Sequence, residues 1–354
     1  MNTLSRYIFS DAMWRWAGAS VVLLGLAILT RALRFVAEAA LGRIPAGTIL
    51  PLIGLQSLQF FAYLMPATVL LAVMMCFMRL HDDRELSALF GCGVSPYAIA
   101  RPLAVAALLC AAIAATLSLY VSPWAARTFD SSVKAARAAM GRSALHAGEL
   151  RELSGGRAVI YAGEQGNDTL LSPLFAWRGL DNGEQILVAH DGRWLTLPDG
   201  NGEIDVNNGE FTRLLPKATE QARFASGQMR VSLADPELPP SRRRYDSTAS
   251  LWKDRDPVAQ AELQRRIGLP LSCLLMVTLA FVLAPFAPRA PTRARMAGAL
   301  LVYAVYNQLL TAAQRWTEKG TLSVMIGQWW VHALLALALG FMLLRRYGGL
   351  GRAT

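Results

Sequence analysis

The chain has 354 residues, of which 54% are hydrophobic and only 17% charged, with a formal net charge of +10. A soluble protein carries about 25% charged residues, and here both ends are apolar while the middle is polar, which excludes an ordinary soluble globule. The cations cluster beside apolar runs, where they set membrane topology rather than bind nucleic acid.

The N-terminal arm, "MNTLSRYIFSDAMWRW", leads into a long apolar run with no small-residue cleavage site after it. It is expected to be a retained first span, not a signal peptide. A span needs about 20 largely apolar residues. The first covers roughly 16–35 and carries Arg31 and Arg34 near its end; the second covers roughly 55–77.

The next segment, "RLHDDRELSALFGCGVSPYAIARP" (79–102), interrupts the apolar pattern. Asp82 and Asp83 suit a helix N-terminus, where carboxylates meet free N–H groups. Leu86, Leu89 and Phe90 then share one face. Gly91 and Gly93 end the helix, and Ser95-Pro96 opens the next one. A short amphipathic helix over about 82–93 follows. Its apolar face, with Glu85 beside it, suits docking into a groove on another protein. A helix lying on the membrane surface, or a solvated linker, is the alternative; surface helices are usually basic, and "HDDRE" is not.

A third span is expected at 103–121, and then the polar middle, about 125–258. It opens with a helical lead-in over 130–146. Five stretches follow in rough apolar–polar alternation, separated by turn formers that include Asp191-Gly192 and Asn207-Asn208-Gly209. They predict an all-β sandwich or open roll of about 110 residues. Either it is simply a domain with a core, or it is slightly open and holds an acyl chain. His146 and His190 are lone histidines without carboxylate or cysteine partners at metal-binding spacing.

Three further spans are expected at roughly 267–286, 296–313 and 324–344, six in all. Arg6 and Arg15, then Arg79, Arg84 and Arg101, then Arg289, Arg293 and Arg295, then Arg345, Arg346 and Arg352 fall on one side of such a layout. Only Arg43, Arg315 and Lys319 fall in the opposite short loops. The arginine-rich side is the cytoplasm, which places both termini inside and the β domain in a periplasm. Trp14 and Trp16 inside, and Trp124, Trp316, Trp329 and Trp330 outside, fit as interface anchors.

Cys76, Cys92, Cys110 and Cys273 fit neither a disulfide framework nor a zinc site and are read as buried thiols. There is no G-x-x-x-x-G-K-[ST], H-E-x-x-H or G-x-S-x-G. The spans carry few ionisable residues at their centres, unlike an ion-coupled carrier. Asn307 and Gln308 are read as interhelical hydrogen bonders. No catalytic, cofactor or metal site is expected, so the energy for any transport comes from a partner.

Nearly the whole chain resembles the lipopolysaccharide-export permeases, the LptF/LptG family. The resemblance rests on "RYIFSD", "GRIPAG", "LMPATVLLA", "RELSALFGCGVSP", "SPWAAR" and "AELQRRIGLPL". The last points to the LptF branch, although Arg265 stands where that branch often has tryptophan. The resemblance implies a six-helix polytopic membrane protein in the bacterial inner membrane with an inserted periplasmic domain of jellyroll type. Its parts are residues 1–124, 125–258 and 259–354. It implies a permease subunit that extracts lipopolysaccharide from the outer leaflet of the inner membrane. The partners implied are an LptG-like second permease, an LptB-like cytoplasmic ATPase dimer that holds the ATP and Mg, a single-span LptC-like protein and an LptA-like bridge.

By the same resemblance the 82–93 helix is the ATPase-coupling helix, with Glu85, Leu86, Leu89, Phe90, Gly91 and Gly93 as its contact residues. Arg31 and Arg34 are implied as contacts for the lipid head group; three apart on one helix face, they would otherwise snorkel to the interface. Two other classes compete. One is a mechanotransmitting permease that moves no lipid through its spans. The other is a membrane-anchored β-sandwich sensor or scaffold with no ATPase partner.

Overall fold

The computed structural model describes residues 2–40, 46–143, 150–153, 158–165, 170–180, 183–196, 202–216, 218–231, 242–284 and 292–347. Arg43, His146, Arg289 and Arg352 lie outside the described residues. The chain divides into two compact units. One comprises Met1–Arg31, Ile53–Thr128 and Arg242–Thr354; the other comprises Ala32–Leu52 and Phe129–Ser241.

The first unit is helical. Its elements are α1 (Thr3–Ala40), α2 (Ile49–Asp82), α3 (Glu85–Gly91), α4 (Pro96–Thr116), α5 (Ser122–Ser143), α6 (Thr248–Lys253), α7 (Pro257–Leu283), α8 (Thr292–Glu318) and α9 (Trp329–Tyr347), of which α1 and α5 run on into the second unit and α2 starts in it. Five helical segments are long and apolar enough to cross a membrane, among them Pro96–Val133, which runs from α4 into α5; α9 is a shorter apolar helix. Every expected span is found inside a longer helix except the fourth, which overruns the end of α7 at Leu283, and the last. There Thr321–Gln328 forms turns and α9 starts only at Trp329. Gln264 of α7 explains the late start: its side chain donates to Val324 O at 2.6 Å and accepts from Gln328 N at 2.9 Å. Gln328 in turn donates to Ala261 O at 2.9 Å. These bonds satisfy backbone groups that lipid could not.

α7 packs against α4, α8 and α9. Small residues let the backbones approach: Ala107, Ala111 and Ala114 of α4, and Cys273 and Ala280 of α7, are all buried. Between α4 and α5 the helix widens to a π-turn at Leu117–Val121. Its distorted hydrogen bonding is taken up from outside, because Thr248 Oγ1 donates to Leu119 O at 2.6 Å, while Ser118 Oγ donates to Arg266 O at 3.0 Å. By contrast α1 enters the core only through Ile8, Ala12 and neighbours in its first turns. Val21, Val22, Leu26, Leu29 and Leu33 are exposed.

Asn307 and Gln308 lie exposed on α8. The hydrogen bond between helices comes instead from the adjacent Tyr306, whose hydroxyl lies 2.8 Å from Ser272 Oγ of α7 and 2.6 Å from His332 Nδ1 of α9. Cys76, Cys110 and Cys273 are buried as expected, but Cys92 is exposed.

The second unit contains strands β1 (Leu150–Leu153), β2 (Ala158–Gln165), β3 (Leu170–Leu180), β4 (Gly183–Thr196), β5 (Gly202–Leu215) and β6 (Ala218–Val231). They form one antiparallel sheet in sequence order. The expected inserted all-β unit is present. The two Greek keys of a jellyroll are not seen among the described strands, which make a simple meander. The helical lead-in is α5.

Alternation puts one apolar row across the sheet: Ile160 pairs with Ala176, Ala176 with Leu187, and Leu187 with Phe211. Two of the expected turns lie inside strands, because their glycines serve packing. Gly192 sits 2.9 Å, measured from an added Cβ, from a Leu174 methyl, and the Phe224 ring lies over Gly209 at 2.5 Å on the same measure. Asn208 beside it takes the left-handed conformation at φ 51°. Gly209→Val is therefore expected to cost about 1–3 kcal/mol. Hydrogen exchange of the full chain should quicken across β5 and β6 and stay unchanged in α7.

Candidate functional site

The segment that sequence singled out is a helix, but shorter and differently closed than expected. α2 runs on to Asp82, so the two aspartates do not cap α3. The N-cap is Arg84, in the left-handed conformation at φ 58° with no side-chain cap. The C-terminus follows a Schellman pattern: Gly93 N–H donates to Phe90 O and Val94 N–H to Leu89 O, each at 3.0 Å. Gly93 takes φ 80° to do this, whereas Gly91 is still helical. Ser95 and Pro96 open α4 as expected, though the serine side chain makes no cap bond.

The apolar face of α3 turns inward. Leu86 is buried in the bundle core, and Leu89 and Phe90 pack against it. Leu86 is thus taken up by its own bundle, while Leu89 and Phe90 stay half-buried. A helix of seven residues joined closely to two spans has one apolar stripe, and its own bundle takes it. What remains exposed is Ser87, Ala88, Gly91, Cys92 and Gly93. This small-residue surface lets another backbone approach closely.

Glu85 stands at the edge of that surface, about one-third exposed (31%). It is engaged within the chain. The Tyr7 hydroxyl of α1 lies 2.9 Å and 3.0 Å from its two oxygens, and Arg79 of α2 lies 3.5 Å away. Arg79 Nη2 donates to the Tyr7 hydroxyl at 2.6 Å. Arg79 also reaches Asp11 at 3.4 Å and Asp83 at 3.9 Å, and Arg15 pairs with Asp11 at 2.9 Å. Two arginines thus face three carboxylates, and the excess of negative charge falls at the α3 edge. Tyr7 and Asp11 belong to "RYIFSD", which sequence analysis noted without giving it a role. Their spacing of four was the available signal.

Arg31 lies at the far end of α1's segment in the helical unit. From Tyr7 it is 24 helical steps away, roughly 36 Å along the axis. Its guanidinium sits 4.2 Å from the Phe60 ring centre of α2. Leu24, Ile28, Ile53 and Gln56 line the same crevice, and the buried Gln56 Oε1 has no hydrogen-bond partner. Arg34, one turn on, is exposed.

A third polar cluster was not foreseen. Glu262 of α7 is buried and holds both Arg265 Nε at 2.7 Å and Arg266 Nε at 2.9 Å. Arg265, noted earlier only as a departure from tryptophan, stacks 4.6 Å from the Tyr63 ring centre. Arg266, 1% exposed, donates to Asp246 O, Thr248 Oγ1 and Arg244 O at 3.0–3.2 Å. It pins the segment that returns from the sheet. Nearby Arg243 bonds to Asp246 and Asp256, which raises its already high pKa.

These features define a multi-pass membrane protein of transporter type: apolar helices, a short helix between two of them, and an inserted antiparallel sheet. The sequence profile of the lipopolysaccharide export system permease LptF/LptG family matches residues 6–346, and the chain belongs to that family. Proteins named lipopolysaccharide export system permease protein LptF, from Escherichia coli K12 and from Shigella flexneri, are each 25% identical to it over 346 residues, 96% of this chain and 93% of theirs. It is a component of a lipopolysaccharide exporter, resident in the inner membrane.

Gly93→Val should unseat the C-terminal turn of α3, because a β-branched residue is strained at this φ. Hydrogen exchange of the Val94 amide, which is bonded to Leu89 O, is expected to quicken about fivefold, consistent with roughly 1 kcal/mol of local destabilisation. An unchanged rate would mean that the turn does not depend on glycine.

Proposed function

We propose that this chain is one of two related permeases that extract lipopolysaccharide from the outer leaflet of the inner membrane and pass it to a periplasmic bridge. A separate cytoplasmic ATPase dimer drives the cycle. The observation that carries this is α3: a short helix between two spans, anchored inward by Leu86, Leu89 and Phe90, with a small-residue surface edged by Glu85. Such a surface suits seating on a soluble partner, and the excess negative charge suits an arginine or lysine on it. In this reading Glu85, Gly91 and Gly93 form the docking surface and its turn, while the three apolar residues orient it.

α9 is the sixth span. Its 19 residues reach roughly 28 Å, close to the hydrocarbon thickness. Six spans and the arginine distribution put both termini and α3 in the cytoplasm and the sheet in the periplasm. The chain then has three parts, 1–124, 125–258 and 259–354. The meander belongs to a jellyroll-type periplasmic domain that meets an LptC-like protein and an LptA-like bridge. The exposed apolar sides of α1 and α8, such as Leu26 and Leu301, face lipid or an LptG-like partner permease. ATP and Mg are bound by the LptB-like ATPase. Arg31 and Arg34, at the outer end of the first span, contact the anionic head group.

Glu85→Ala is expected to lower co-purification of the ATPase about tenfold, the scale of one lost charged hydrogen bond. Normal co-purification would remove Glu85 from the docking surface. A photo-crosslinking amino acid at position 34 is expected to give lipopolysaccharide adducts in cells only with an active ATPase. Arg31→Ala with Arg34→Ala should reduce lipid loading but leave assembly intact. An ATPase-bound complex that gives no adduct would argue for a permease that transmits motion without passing lipid beside α1.

A further inference from the structure

We propose that Tyr7 is a positioning residue for Glu85 and the connection by which displacement of α3 reaches α1. This rests on the reading of α3 as the ATPase-docking helix.

The geometry is specific to the hydroxyl. A phenol has one proton to donate and lone pairs to accept with. Here the Tyr7 hydroxyl accepts from Arg79 Nη2 at 2.6 Å and donates to the Glu85 carboxylate, whose oxygens lie at 2.9 Å and 3.0 Å. It therefore bridges a cation on α2 and an anion on α3 from a position on α1. The Arg79 guanidinium also lies 5.2 Å from the centre of the Tyr7 ring. Both flanking bonds involve ions, the stronger class of hydrogen bond.

Two further observations make the contact a transmission point rather than a brace. First, α1 has few other ties to the bundle: beyond the buried Ile8 and Ala12 its contact with α2 runs through half-buried Leu24, Ile28 and Arg31, while Val21, Val22, Leu26 and Leu29 are exposed. A shift at its first turns is thus weakly opposed along its length. Second, the network is not fully satisfied. Arg79 Nε is buried but makes no hydrogen bond, its Asp11 contact lying at 3.4 Å. A cation arriving on Glu85 from a docked partner would compete with Arg79 and the phenol, and Arg79 has Asp11 and Asp83 to turn to. The carboxylate's partners then report docking directly to α1.

Tyr7→Phe removes one oxygen and keeps the ring, so the apolar packing of α1 remains. The test uses the complete exporter in proteoliposomes and reads lipopolysaccharide released per ATP hydrolysed. The expected result is an assembled complex, with its ATPase bound, whose release per ATP falls about tenfold, the scale of one hydrogen bond to a charged group. Asp11→Asn, which keeps the phenol, should fall less. Spin labels on the first turn of α1 and on α3 should show correlated motion through the ATP cycle in the native chain and not in Tyr7→Phe.

An unchanged ratio in Tyr7→Phe would overturn the proposal while leaving the docking reading intact. Loss of assembly would also overturn it, because Tyr7 would then be a folding residue. Failure of the docking reading would appear separately, as Glu85→Ala retaining the ATPase.

Discussion

The guanidinium of Arg79 is the interaction on which the α1–α2–α3 corner of this bundle depends. It faces Asp11 and Tyr7 from α1, Asp83 beyond the end of α2, and Glu85 from α3. Without a cation there, three carboxylates would lose the counter-ion they share, and Arg15 pairs with Asp11. Like charges at such distances repel, and partial burial strengthens the effect. Because the three helices contribute different members, their relative positions are set by charge as well as by shape.

At the other end of the helical unit the same logic is used more deeply. Arg266 is almost wholly buried, and a buried charge is tolerated only when paired and hydrogen-bonded. Glu262 supplies the pairing, and the carbonyls of Arg244 and Asp246 and the hydroxyl of Thr248 accept from the two terminal nitrogens. The return segment thereby acquires a fixed position on α7, and Thr248 carries the restraint on to the π-turn through Leu119 O. One cluster holds the chain where it re-enters the bundle, whereas the other is partly exposed and incompletely bonded. The difference in satisfaction between them separates a structural ion pair from one suited to exchange its partners.

Much of the helical layout was legible because its signal is long. Runs of about 20 apolar residues identify spans whatever their neighbours do. The α3 turn was legible for a local reason: glycine is the residue that takes the left-handed position at Gly93. What was not legible depends on residues distant in sequence. The inward direction of Leu86 follows from a core built by α2, α4 and α7, so a helical period could locate the stripe but not its partner. Asn307 and Gln308 stood out as polar residues in a span, but the bond is made by Tyr306, whose partners lie on α7 and α9. Asp191-Gly192 looked like a turn because no local feature announces the Leu174 methyl packed over it. Glu85 was found by its place beside an apolar face, whereas the i, i+4 spacing of Tyr7 and Asp11 could put the two on one face of α1 but not show that Tyr7 meets Glu85, 78 residues away.

The inward packing of α3 also bears on how force could pass through it. A helix that gave its apolar face to a partner would be bound mainly from outside, and it could move without disturbing its own bundle. α3 instead has Leu86 in the same core as Ile8, Phe77 and Ile99. Interiors packed at crystal-like density transmit displacement rather than absorb it. A load on the exposed small-residue surface therefore has two outlets. The apolar one leads into α2, whose span is mostly buried, and α4, which packs along α7, and both resist. The polar one leads through Glu85 and Tyr7 into α1, which is anchored in its first turns and sparsely packed beyond them. The second outlet is the softer, and some 36 Å along it stands Arg31 against Phe60. A single helix thus joins the charged corner at Glu85 to the crevice where Arg31 lies over Phe60.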